Sequence, residues 1–139
     1  MVFRYFMANQ EENPGSLHLW KTRSSNSSLA FSCVTCDLPG PTCLYNKVHI
    51  SPDRRHFIQE CLGPGVPFSR IIELETEDEV FMLEKNEKLN KIINKFSLPK
   101  IKELSIKLPS STIPASVRLF LPPGFREEEE FAFPLVVNV

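Results

Sequence analysis

Four cysteines, Cys33, Cys36, Cys43 and Cys61, crowd into one stretch of a 139-residue chain with the spacing C-x2-C-x6-C-x17-C. Nothing else in the sequence restricts its folding as strongly. Two crosslinks or one metal centre would each fix the chain around residues 33–61. A zinc knuckle needs two close pairs, and only Cys33 and Cys36 form one; His49 and His56 could stand in, but both lie in strand-like runs. A thioredoxin-type redox pair needs a βαβ setting that Cys33-Val34-Thr35-Cys36 lacks. The spacing therefore favours a disulfide framework, with three pairings open, and hence an oxidising compartment. Asn26-Ser27-Ser28 is a glycosylation sequon in a serine-rich loop, so Asn26 is a candidate carrier of glycan.

The backbone is constrained next by proline. Twelve prolines against five glycines break the chain into short elements and disfavour a helical bundle. Apolar residues at 42% are enough for a core, and a net charge of -1 removes the electrostatic footprint of a nucleic-acid binder. No apolar run approaches the roughly 20 residues of a membrane span. Met1 to Asn9 lacks the apolar core of a signal peptide. Both ends read as cut: the chain opens on an apolar stretch and stops inside what reads as a buried strand.

Alternation and turn signals then order the chain. Residues 2–8 and 17–22 form an expected hairpin around Asn13-Pro14-Gly15. Residues 29–42 are the cysteine-bearing segment, turned at Pro39-Gly40-Pro41. Tyr45–Ile50, His56–Cys61, Phe68–Leu74 and Val80–Leu83 are four strands with tight connections, the length and pattern of one propeller blade. Leu89, Ile92, Ile93 and Phe96 follow helical spacing and predict about three turns over residues 86–96, stopped by Pro99. Residues 101–108, 115–121 and 133–139 read as three more strands, the last of them buried. A second domain begins near residue 95.

Catalytic signals are missing. There is no G-x-S-x-G elbow, Walker loop, G-x-G-x-x-G or H-E-x-x-H. His18, His49 and His56 read as solvent-facing strand residues, Glu127 to Glu130 as a solvated loop, and Trp20, Phe57 and Phe68 as core. No catalytic residue and no metal ligand is assigned.

The cysteine series followed at once by Leu62-Gly63-Pro64-Gly65-Val66-Pro67 resembles the last part of the β-propeller of the dipeptidyl peptidase IV family. Leu121-Pro122-Pro123-Gly124-Phe125 and Phe133-Pro134-Leu135-Val136-Val137-Asn138-Val139 resemble the opening of that family's hydrolase domain. The resemblance implies a mainly β fold. The last blade or blades of an eight-bladed propeller (residues 1–95) would join the first strands of an α/β-hydrolase domain (residues 96–139), both incomplete. It implies a parent serine exopeptidase that removes N-terminal Xaa-Pro or Xaa-Ala dipeptides. Such a parent uses no cofactor, is commonly a homodimer, and is secreted or held at the cell surface by an N-terminal helix. Partners would be the rest of the peptidase and, through it, short peptides. The family's catalytic serine, aspartate and histidine, and its two amine-holding glutamates, match nothing here, and its oxyanion tyrosine would follow directly after Val139. The chain alone is expected to be inactive scaffold; some members that have lost the nucleophile serve as binding proteins. By the same resemblance, Cys33 pairs with Cys36 and Cys43 with Cys61.

Overall fold

The computed structural model describes residues 3–23, 30–128, 130 and 132–138. The chain divides into two units, Met1–Lys95 and Phe96–Val139.

The first unit holds two antiparallel sheets. In the three-stranded one, β1 (Phe3–Ala8) and β2 (His18–Arg23) pair from Phe3–Arg23 to Ala8–His18, as the alternating residues predict. The loop between them closes on Asn13, whose carbonyl accepts from the Ser16 amide at 3.0 Å and hydroxyl at 2.7 Å. A third strand, β3 (Ala30–Cys33), pairs with β2 and carries Cys33 opposite Trp20. It was not anticipated within the cysteine-bearing segment.

The second sheet is a meander of four strands in sequential order: β4 (Tyr45–Ile50), β5 (His56–Gly63), β6 (Phe68–Glu73) and β7 (Glu79–Glu84). It matches the four strands expected for one blade; no closed propeller is formed by the described residues. Its tight turns place non-glycine residues at positive φ: Arg54 at 57° after β4 and Glu77 at 64° after β6. Period-2 alternation points Phe57, Gln59 and Cys61 of β5, and Phe68, Arg70 and Ile72 of β6, to one buried face. Register sets them opposite each other as Phe57–Ile72, Gln59–Arg70 and Cys61–Phe68. The inner face is thus layered. Phe57 and Ile72 join Leu19, Val34 and Leu74 in one apolar cluster, and Cys61 and Phe68 join Cys43 in another. Between them lies a polar layer. The starts of β2 and β4 are tied by a parallel bridge between Leu17 and Tyr45, with amide–carbonyl bonds at 2.7 and 3.0 Å.

Helix α1 (Glu87–Ile93) is shorter than the expected three turns and buries none of its side chains. Asn86, at its start, sits in the left-handed region and spends its side chain on the Pro67 carbonyl at 2.8 Å rather than on a cap. The other end stops at Asn94, whose amide donates to the Asn90 carbonyl at 3.0 Å.

In the second unit β8 (Lys100–Ile106) and β9 (Ala115–Leu121) form a two-stranded ribbon, with Arg118 Nη2 donating to Glu103 Oε1 at 2.6 Å across it. The strand expected over residues 133–139 does not form in the described residues 133–138. Val136 is 90% exposed and Leu135 77%. A strand of buried-type residues needs flanking strands to take its backbone hydrogen bonds, and β8 and β9 have only each other.

Candidate functional site

The structure holds one of the three pairings open to the sequence: Cys33 with Cys36, Cα atoms 5.6 Å apart, and Cys43 with Cys61, 5.7 Å apart. Among the described residues no cysteine is free. Cys43 lies just before β4 and Cys61 on β5, so their bridge staples the mouth of the meander. The Cys33–Cys36 bridge closes a tight loop at the end of β3. That loop is woven into the core: the Val34 amide donates to the Leu19 carbonyl at 2.7 Å, and the Leu19 amide donates to Thr35 Oγ1 at 3.0 Å.

Between the bridges runs the polar layer, a relay of side chains almost wholly removed from solvent. Asn46 Nδ2 donates to the Leu17 carbonyl at 2.9 Å. Gln59 Nε2 donates to Asn46 Oδ1 at 2.5 Å, and Arg70 Nε donates to Gln59 Oε1 at 2.7 Å. Arg70 Nη1 then reaches the Pro39 carbonyl at 2.6 Å and Glu79 Oε2 at 3.0 Å. Its guanidinium lies 5.4 Å from the Phe68 ring centre. A charge buried this deeply is costly unless strongly hydrogen-bonded, and Arg70 donates to an amide, a carbonyl and a carboxylate. Gly40 makes the approach of Pro39 feasible: its φ is 101°, and a Cβ there would stand 3.3 Å from Arg70 Nη1. The turn at Pro39-Gly40-Pro41 is therefore pinned to the meander by the same residue that ends the relay.

His18 stands at the other end. It was expected to face solvent; instead it is 1% exposed, because the Leu17–Tyr45 bridge and the Cys33–Cys36 loop close over it. Its Nδ1 lies 3.1 Å from Thr35 Oγ1 and 3.4 Å from Asn46 Nδ2, while Nε2 has no partner among the described residues. Burial pushes its pKa below the ordinary value; the contact with Thr35 and the charge of Asp37 oppose the shift without cancelling it. One imidazole nitrogen and the sulfurs of Cys33 and Cys36 lie within 4.8 Å of one another.

The other candidates are not drawn into this cluster. His49 contacts Glu60 at 3.2 Å and faces outward. Ser51, Asp53 and His56 share a turn, but there Ser51 Oγ contacts Asp53 Oδ1 at 2.6 Å and the backbone amide of His56 at 3.1 Å. Among the described residues no serine hydroxyl meets a histidine ring. Phe57 and Phe68 are core as expected, and Trp20 is half-buried with its Nε1 on the Ala8 carbonyl at 3.1 Å. Asn26 lies outside the described residues. No helix among the described residues is long and apolar enough to cross a membrane.

A mainly β chain with a disulfide-stapled, four-stranded antiparallel meander has the architecture of a propeller-blade protein. No family model matches it. Individual proteins do. Prolyl endopeptidase FAP of Mus musculus is 29% identical over 136 residues, which are 97% of this chain and 17% of that protein. Dipeptidyl peptidase 4 of Felis catus is 26% identical over 138 residues, 99% of this chain and 17% of that one. Inactive dipeptidyl peptidase 10 of Rattus norvegicus is 25% identical over 134 residues, 96% and 16%. The chain is thus similar along nearly its whole length to members of the dipeptidyl peptidase IV family, and it spans about one sixth of the length of these relatives.

Proposed function

We propose that this segment is scaffold in a serine-type dipeptidyl aminopeptidase that cleaves Xaa-Pro and Xaa-Ala dipeptides from peptide N-termini. The observation that carries the reading is the kinship with prolyl endopeptidase FAP and dipeptidyl peptidase 4 along 97% or more of the chain. The segment contributes a stapled blade and a connection, residues 84–100, into the first hydrolase strands. The blade would wall one side of the cavity that admits short peptides. The chemistry would come from residues elsewhere in a longer chain. The remaining partners follow from the same reading: the rest of the peptidase, its peptide substrates and a second copy in a homodimer. Two disulfides and the sequon at Asn26 support an extracellular or cell-surface setting. The isolated chain should not hydrolyse a Gly-Pro chromogenic amide. Turnover that persists through repurification overturns the scaffold reading.

The match to inactive dipeptidyl peptidase 10 favours a second reading, a binding module in a relative without a working nucleophile. The readings part at the elbow serine: in a longer chain bearing this segment, an intact G-x-S-x-G supports the first and a replaced serine the second.

A further inference from the structure

The two bridges sit in different surroundings. Cys43 and Cys61 are 7% and 1% exposed, packed against Phe68, while Cys33 and Cys36 are both partly open to solvent. Among the described residues only the open pair has an imidazole against it. His18 Nε2 is buried with no partner among the described residues, and an unmade hydrogen bond of that kind is costly. We propose that Cys33, Cys36 and His18 form a latent metal site, closed while the disulfide is intact and able to hold one divalent cation of the zinc class once it is reduced. The proposal is independent of the peptidase reading.

A dithiol or phosphine reductant supplies two electrons; the S–S bond breaks and two protons are taken up, giving two thiols. The cation displaces both thiol protons and binds two thiolates, and neutral His18 adds a nitrogen lone pair. Zinc–sulfur bonds of about 2.3 Å and zinc–nitrogen bonds of about 2.0 Å place tetrahedral ligand atoms roughly 3.5–4 Å apart. The three atoms here already lie within 4.8 Å. Two-residue spacing between the cysteines is that of half a zinc knuckle, with the third ligand brought by the neighbouring strand β2. An outer layer is in place: Gln10 Nε2 contacts Cys36 Sγ at 3.1 Å, and Thr35 Oγ1 contacts His18 Nδ1. Three protein ligands leave a fourth position for water.

The test uses the full chain under native conditions with limiting phosphine reductant. Alkylation and mass mapping should find Cys33 and Cys36 freed and Cys43 and Cys61 still bonded. Cobalt(II) should then bind one per chain, with sulfur-to-metal charge-transfer absorption and tetrahedral d–d bands, and zinc should displace it and shield Cys33 and Cys36 from alkylation. Ring resonances of His18 should shift on zinc addition while those of His49 and His56 stay put, a readout that needs no variant. His18→Gln should weaken cobalt binding by more than the roughly 10–100-fold that loss of an outer-layer partner costs. Equal binding by the oxidised chain, undiminished binding by His18→Gln, an unmoved His18 ring, or opening of Cys43–Cys61 alongside Cys33–Cys36 each overturns the proposal.

Discussion

A guanidinium that is 1% exposed persists inside this β-sheet because Gln59, the Pro39 carbonyl and Glu79 all accept from it. These acceptors are not equivalent. The Glu79 side chain is about a third exposed, so water screens its charge and the ion pair contributes little beyond a hydrogen bond. The amide and carbonyl contacts are deeper. Removing Arg70 strands Gln59 Oε1 and the Pro39 carbonyl and leaves a void. Arg70→Ala should therefore cost about 3–5 kcal/mol. Arg70→Met fills most of the volume but still strands both acceptors, at about 1–3 kcal/mol. Glu79→Gln keeps an acceptor near Nη1 and should cost about 1 kcal/mol or less. Urea unfolding midpoints test the order. A Glu79→Gln variant as damaged as Arg70→Ala would make the ion pair, not the amide layer, the stabilising feature. None of this was legible beforehand. Asn46, Gln59 and Arg70 are polar residues in alternating strands, and alternation alone assigns such residues to the wet face. His18 was misplaced for the same reason. The missing signal is three-dimensional: Asn46, Gln59 and Arg70 meet partners as far as 31 positions away in the chain.

At the scale of elements, what could be read was what the chain satisfies locally. The hairpin of β1 and β2 and the four strands of the meander each combine period-2 alternation with a turn signal, and all are present. The elements that depend on distant neighbours were misread. β3 has four residues beside a serine-rich run, and only pairing with β2 makes it a strand. Residues 133–138 are apolar enough for a covered strand but find no partner to pair with. The bridges divide in the same way. Cys43 and Cys61 close a loop of separation 18, which by chain entropy stabilises by about 3 kcal/mol, and their sulfurs also pack against Phe68. Cys33 and Cys36 close a separation of 3, for about 2 kcal/mol in the same treatment. Replacing Cys43 and Cys61 by alanine should thus lower the melting temperature more than replacing Cys33 and Cys36. Calorimetry of the two double variants decides it, and equal or inverted losses would place the main constraint in the β3 loop instead.

The whole molecule combines a well-buried inner layer with outer surfaces that are unusually apolar. On β7, Val80, Phe81 and Leu83 are exposed, Phe81 at 61%, and among the described residues β7 is also an unpaired edge of its sheet. Leu89 and Ile92 line the bare face of α1, and β8 has no buried residue at all. An edge strand presenting unpaired amides beside aromatic and branched side chains is a template for a second chain. Neither charge nor proline interrupts β7 between Glu79 and Glu84. Net charge of -1 gives almost no long-range repulsion to keep copies apart. These three facts act in one direction, so the isolated chain should associate. At tens of micromolar it should elute as oligomers. Phe81→Lys together with Val80→Lys places charge on that edge at positions already open to water, so it should reduce association while leaving the Cys43–Cys61 staple and the Asn46–Gln59–Arg70 layer intact. A monodisperse, monomeric parent chain at that concentration would contradict the expectation outright. Unchanged association in the double lysine variant would move the sticky surface from β7 to the α1 face or the β8–β9 ribbon.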